Sequence, residues 1–447
     1  MRRTSSSGDQ PLLSPHILLD PDPHTWQPRS VDAAAPEQFK HAFQQTRSLL
    51  GLPPSGVVIA TGHQAGIWHP GILAKDIAIS AWESATPIHF VADHDANDAG
   101  LIQYPTGSGT NLKRLSWRAA SLIEGMPTGH RPAEAPGRLP YDAPPALKRV
   151  REILENHQNA ENLATQYAHA AAELAEPWTG TIPRFSVSSL LQLPVGQLLI
   201  ERMKQDPVTA ATTYNQALAV FGRVGRPLKI HGAHTELPVW ADSSQGRRRL
   251  YADQIDDVET LRPRALLASA LMRLSGCDVF VHGTGGQTYD PAMERWLHDW
   301  ISPDVSRMLA LRVTASANLY LPLDAPPPLR PVEDLNRVIN NPGATPGQRL
   351  HPEKQQHLDN INTAERRSSQ RKRAFQDMKR WLSEHQDTKR IEQIQHDMAH
   401  NTIDASAARV AYARDWPFPL YPEHMISELK TSIVQACSGA STIQSFS

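Results

Sequence analysis

Cysteine is nearly absent: Cys277 and Cys437 are the only two in 447 residues. Two thiols build no disulfide framework and cannot supply a thiolate zinc site by themselves. A reducing compartment is the simple expectation. Excess charge is missing too. Lys and Arg total 45 and Asp and Glu 46, a formal net charge of −1. A protein living on nucleic-acid phosphates carries a basic excess, and a disordered solvating chain carries an excess of one sign. No run approaches 18 apolar residues, so no membrane span is expected. Residues 1–8 are basic with no apolar stretch behind them, and read as no signal peptide. A cytoplasmic protein that touches neither nucleic acid nor membrane is the expectation. What is abundant is proline, 37 residues, about 8% against a usual ~5%, which predicts many loops. The 40% hydrophobic content still allows a sizeable core at this length, in two or three domains.

Residues 1–50 are rich in Ser, Pro, Asp and His and read as a polar, partly disordered arm. Helical spacing appears there only at Phe39, Phe43, Leu49 and Leu50. Residues 56–60 (Gly-Val-Val-Ile-Ala) are short, β-branched and apolar, as a buried parallel strand should be. They run into Thr61, Gly62, His63, Gln64, Ala65 and Gly66. A helix is expected over 67–85, with Pro70 in its first turn. Residues 87–92 form a second strand that ends in Asp93, His94, Asp95, Ala96, Asn97 and Asp98. This is one βαβ unit, and the right-handed crossover puts both loops at the same sheet edge.

Residues 105–147 read as loop-rich and 146–174 as an amphipathic helix with room for one break. Further helix covers 188–221, interrupted near Pro194 and Pro207. An alternating pattern covers 227–251, and 262–275 is helical. Residues 277–282 form another short strand, closed by Gly283, Thr284, Gly285 and Gly286, before a helix carrying Met293, Trp296, Leu297 and Trp300.

The fold class is therefore α/β. A Rossmann-like, mostly parallel sheet core spans 51–345, with a helical insertion at about 105–225. Residues 346–402 are a helical, coiled-coil-like arm. Residues 403–447 dock back on the core through the segment around Trp416 and end in a frayed tail. In the arm, Phe375, Met378 and Leu382 share a/d spacing, as do Ile391, Ile394 and Met398. The two sets fall in different registers, which predicts a bend near 383–388.

Several constellations could carry chemistry. The loop at Thr61, Gly62, Gln64 and Gly66 either lets backbone N–H groups approach an anion or is an ordinary tight βα turn. It is neither GxGxxG nor a Walker loop. His63 and His69 could stabilise a transferring group or act as acid and base, or could be surface and capping histidines. Lys75 either points to the same edge or is a solvated helix lysine. Asp93, His94 and Asp95 suit Mg²⁺ coordination, proton transfer, or a polar turn. The loop at His282, Gly283, Gly285 and Gly286, followed by Tyr289 and Asp290, repeats the logic of the first. Cys277 opens its strand and reads as buried and inert. Glu236 and Trp240 precede Arg247, Arg248 and Arg249, and Arg262 and Arg264 follow; these arginines hold an oxyanion or form a solvated basic hairpin. The basic residues at 366–367 and 371–373 read as a solvated helical face.

These residues resemble the bacillithiol biosynthesis cysteine-adding enzyme family. Thr61 to Gly66, then His69, Pro70, Gly71 and Lys75, then Phe90 to Asp95 are similar in order and spacing to its first block. Leu261, Arg262 and Pro263 through Tyr289 are similar to its second. The likeness is collinear over roughly 56–420 and strong in these two blocks. Three departures stand out: His63 replaces a Gln, Ala92 an acidic residue, and Gly-Thr-Gly-Gly a Gly-Pro-Gly-Glu loop. The match is closer to a bacterial branch with a His-Gly-x-Gly-Gly-x-x-Tyr-Asp loop and a Glu-x-Pro-x-Trp segment, here Glu236 to Trp240. The resemblance implies a ligase in low-molecular-weight thiol biosynthesis. It would join an amino acid, cysteine in the family, to the amine of an amino-sugar-type substrate. It also implies a Rossmann-type core, an adenine nucleotide with Mg²⁺, and a homodimer paired through the arm. On this view His63 or His69 stabilises negative charge, Asp93 or Asp95 with His94 takes the amine proton, and both glycine loops hold anionic groups. Two other readings stand beside it: a metal-dependent hydrolase built on His63, Asp93, His94, Asp95 and His282, and a non-catalytic nucleotide- or metabolite-binding protein.

Overall fold

The structure, a computed structural model, describes residues 16–26, 35–222, 224–243, 246–319, 321–322, 335, 338–342, 351–365, 368–400, 405–411 and 413–438. The N-terminal octapeptide, Arg366, Arg367 and the expected tail fray at 439–447 lie outside the described residues.

Eleven strands occur among them: β1 (His16–Asp20), β2 (Val57–His63), β3 (Ala85–Val91), β4 (Leu101–Thr106), β5 (Lys113–Arg118), β6 (Arg184–Ser186), β7 (Glu236–Ser243), β8 (Gly246–Tyr251), β9 (Leu261–Pro263), β10 (Val279–His282) and β11 (Leu311–Asn318). The helices that matter below are α1 (Glu37–Leu49), α2 (Pro70–Ser80), α3 (Pro145–Asn156), α4 (Leu163–Thr179), α5 (Pro194–Gln205), α6 (Pro207–Phe221), α7 (Leu266–Leu274), α8 (Gly286–Trp300) and α9 (Pro303–Arg307).

The chain divides into two compact units, one of residues 1–104, 116–319 and 414–447, the other of 105–115 and 320–413. The first is a mixed α/β unit around a six-stranded sheet, ordered β1-β11-β10-β2-β3-β6. Only the β1–β11 pair is antiparallel. Val58, Ile59, Ala60, Ile88, Phe90, Val279 and Val281 are fully buried, as parallel strands covered on both faces must be. Strand numbers rise from β2 through β3 to β6 on one side and lie at β10 and β11 on the other. The chain order reverses between β2 and β10, and open α/β sheets bind ligands in the crevice at such a switch point. A smaller three-stranded sheet, ordered β8-β7-β9, lies in the same unit.

Local chemistry sets the helix boundaries. His69 caps α2 and Pro70 opens it. Asn162 caps α4 through the Thr165 N–H, which divides the amphipathic stretch into α3 and α4. Asp206 closes α5 and caps α6, with Pro207 at its first position; proline fits there because its missing N–H has no helical partner anyway. Of the alternating stretch 227–251, residues 236–251 contain the β7–β8 hairpin, and 227–235 form no strand.

The N-terminal expectation needs correcting. His16–Asp20 is an edge strand in register with Thr314–Asn318, and Trp26 is buried against Trp82. Backbone pairing with β11 holds this strand, whose centre is the apolar run Ile17 to Leu19. Trp416 and Phe418 are buried in the first unit, and the Phe418 N–H donates to the Trp68 carbonyl.

The second unit contains helices Pro352–Thr363, Ser369–His385, Thr388–His400 and Ala405–Ala411. Two of them part at Gln386 and Asp387, where the heptad register is lost. Trp381 is buried there, and its indole N–H donates to Glu353 at 2.6 Å. Among the described residues, no helix is long and apolar enough to cross a membrane.

Candidate functional site

A cavity of about 460 Å³ opens at the β2/β10 switch point. Both glycine loops reach it: Gly62, His63 and Gln64 from the end of β2, and His282, Gly283, Thr284, Gly285 and Gly286 from the end of β10. Lys75 from α2, His94 and Asp95 after β3, and Tyr289 on α8 complete the polar wall. Met272 and Phe280 supply apolar surface. The glycines have steric reasons. A Cβ on Gly286 would fall 2.4 Å from His282 Nδ1, and one on Gly62 would fall 3.0 Å from the Phe90 carbonyl oxygen. A side chain is therefore shut out at these two positions, whereas Gly283 and Gly285 have room for a Cβ.

Lys75 is buried and donates from Nζ to the Gly62 carbonyl at 2.6 Å. Burial lowers its pKa to about 8, with Asp76 opposing. His63 is lowered to about 3, first by burial and then by the Lys75 charge, so it is neutral at physiological pH. Its Nδ1 lies 3.3 Å from the Gln64 carbonyl. A proton on Nδ1 satisfies that contact and leaves Nε2 as an acceptor. His282 is also held below its usual pKa by burial, with Asp290 opposing. Its Nε2 sits 2.6 Å from Asp290 Oδ2, and Arg273 anchors Asp290 from the other side.

Asp95 is the carboxylate that faces the cavity. Its Oδ2 accepts from Gln64 Nε2 at 2.7 Å, and its Oδ1 lies 3.8 Å from His94 Nε2. His94 is buried, and its Nδ1 has no partner among the described residues. Arg247 steadies this loop by donating to the His94 carbonyl at 2.9 Å. The Arg247 guanidinium lies 5.0 Å from the Trp240 ring centre, and Arg264 lies 4.4 Å from it. Arg264 in turn is ion-paired with buried Glu236.

Not every expected residue comes to the cavity. Thr61 is buried and spends its hydroxyl on the Val281 carbonyl at 2.7 Å, tying β2 to β10. His69 points into its own helix terminus, where Nδ1 accepts the Gly71 N–H at 2.8 Å; burial lowers its pKa to about 4. Gly71 is pressed against the Ala317 carbonyl, and Gly66 lies beside Trp68. Asp290 is beneath His282, fully buried. Glu236 and Trp240 hold arginines and do not line the cavity. Asp93 faces away: the chain turns at Asp93 and His94, and Ser188 and Arg262 hold the Asp93 carboxylate on the other side. Its Oδ1 accepts the Ser188 N–H and its Oδ2 accepts from Arg262 at 2.9 Å. Arg262 also binds Asp242 and the Gly129 carbonyl, so it is a structural clamp. With Asp93 turned away, the five-residue hydrolase site does not assemble. Among the described residues, no group of three or more His, Cys, Asp or Glu is arranged to hold a metal ion.

Several lining residues were not foreseen, among them Ala265, Ser269, Ser316 and Arg414. Ala265 has φ +46°, a conformation that costs a non-glycine residue about 1–3 kcal/mol and tends to occur at functional sites. No sequence signal marks it. Arg414 arrives on the returning chain end and donates to Ser316 Oγ at 2.9 Å; the Trp416 docking segment hinted at that return.

No family model matches the chain, and no curated protein matches it significantly. Among solved structures, the chain is similar to a Campylobacter jejuni protein provisionally assigned as an arginyl-tRNA synthetase. The alignment covers 90% of this chain and 97% of that one at 11% identity, with a TM-score of 0.25. A likeness that low carries no argument about fold or activity.

Proposed function

We propose that the chain is a carbon–nitrogen bond-forming ligase. It would join an activated amino acid, cysteine by the family resemblance, to the amine of an amino-sugar-type acceptor in thiol biosynthesis in the cytoplasm. One observation carries this: both glycine loops, Lys75 and the His94–Asp95 pair face a single cavity at the switch point. An adenine nucleotide with Mg²⁺ would sit against the second loop, where Gly283 and Gly285 line the cavity without crowding. Gly283, Gly285 and Lys75 would hold its phosphates, and Asp95 its cation. Bound there, it supplies the activation of the carboxyl group.

The remaining work falls to this chain's own side chains. Lys75, cationic at pH 7, offsets negative charge at the acyl centre. The amine must lose a proton to attack. Its nitrogen bonds to the acyl carbon, the activating group leaves with the bonding electrons, and the proton passes to His94, whose Nε2 lies 3.8 Å from Asp95 Oδ1. Neutral His63 accepts a hydrogen bond from the substrate through Nε2. Pairing of residues 346–402 with a second copy of this chain belongs to the same proposal; Phe375 in that arm is 42% exposed. Light scattering should give a dimer, and a monomer refutes that part.

The test is product mass spectrometry on the full chain with ATP, Mg²⁺, cysteine and a panel of amino-sugar amines. An amide product is expected. Asp95→Asn should lower kcat on the order of 10²–10⁴-fold with KM for the amine little changed. Unchanged kcat would remove Asp95 from the mechanism, and no product with any amine would refute the ligase.

A further inference from the structure

A second cavity, of about 340 Å³, lies on the far side of the Asp93 loop, at the ends of β3 and β6. Arg184 reaches it from β6, and also borders a smaller pocket of about 110 Å³. Its side chain is 7% exposed, and Nη2 donates to Asp76 Oδ2 at 3.3 Å. Nε and Nη1 are buried and have no hydrogen-bond partner among the described residues. Buried guanidinium N–H donors without acceptors are costly, and an oxygen of a carboxylate or phosphate is the acceptor that suits such a cation best.

The surroundings agree with an oxyanion. Ser186 and Ser189 line the cavity, and so does the capped N-terminus of α4 at Asn162 and Thr165, where the helix dipole is positive. The buried charges that would compete are already committed: both Asp93 oxygens are taken by Ser188 and Arg262. Glu161 and Glu259 are exposed at the rim. They disfavour further negative charge there, so the rest of the ligand is neutral or cationic.

We propose that this cavity binds the single oxyanion head group, carboxylate or phosphate, of a small molecule, with Arg184 as its recognition residue. The site stands apart from the β2/β10 cavity and does not depend on the ligase reading, because its test is binding without turnover.

The probes are sodium acetate and inorganic phosphate, titrated calorimetrically into the full chain in chloride-free buffer. At least one should bind, and the one that does identifies the head group. Arg184→Lys keeps the charge opposite Asp76 but replaces the planar guanidinium and its unpaired Nε and Nη1 donors with a compact ammonium, so affinity should fall about tenfold or more. Ala168→Leu fills the cavity from α4 and should abolish binding even if the arginine variant fails to fold. Binding of neither probe overturns the proposal, as does wild-type affinity in a folded variant of either kind.

Discussion

Replacing Lys75 by methionine should flatten the alkaline stability profile of this protein. The wild-type ammonium gives up its proton near pH 8 in the folded state and at 10.5 in the unfolded chain. Between those values the unfolded state binds more protons, so folding stability must rise with pH. Working the two titrations through from pH 7.5 to 9.5 gives a rise of about 2 kcal/mol from this group. Methionine does not titrate and keeps the length of the stem, though it leaves the Gly62 carbonyl without its donor, at about 1–3 kcal/mol. The variant should therefore be less stable at pH 9.5 by about 2 kcal/mol more than it is at pH 7.5. Tyr104, Tyr167 and Tyr214 also have pKa values raised by burial. They are common to both proteins and cancel in the difference. Urea unfolding of the two chains at pH 7.5, 8.5 and 9.5 reads it directly. Parallel stability curves would mean that Lys75 is not a buried ammonium beside the Gly62 carbonyl, and the charge assigned to it in the cavity would fall with it.

Arg262→Ala should cost about 3–5 kcal/mol, because it removes the cation that pairs the buried carboxylates of Asp93 and Asp242; a loss below about 1 kcal/mol in urea unfolding would contradict the clamp. The cysteines should be dispensable. Burial raises the Cys277 thiol far above its usual range and the Cys437 thiol to about 11, so neither supplies a thiolate. A Cys277→Ser, Cys437→Ser double variant should keep its turnover, and loss of turnover in a folded double variant would show a thiol at work.

What could be read in the sequence follows from where the information is local. Residues 56–60, 87–92 and 277–282 are apolar and short, and each closes on a polar or glycine loop, so the βαβ logic already places their ends at one sheet edge. Lys75, His94 and Asp95 reach the cavity for that reason. Side-chain direction is not local in the same sense. Asp93 and Asp95 sit in one polar hexapeptide, yet a partner 169 residues away, Arg262, decides that Asp93 turns from the cavity. His69 looks like His63 on paper, but the α2 terminus claims its lone pair. The edge strand His16–Asp20 is invisible because its partner comes almost 300 residues later. Arg184 stands in a three-residue strand too short to show any period.

The contact between β2 and β10 also sets a clock on biosynthesis. Thr61 reaches across to Val281, 220 residues downstream. At roughly 5–20 residues per second of ribosomal synthesis, the first glycine loop waits on the order of 10–45 s for its counterpart. During that interval one flank of β2, with Val58 to Ala60, has no neighbouring strand. Non-local parallel pairing is slow to form and exposed to aggregation while it waits. A nascent chain stalled before residue 282 would therefore hold half a ligand site and an open strand edge, a form suited to chaperone capture rather than to binding.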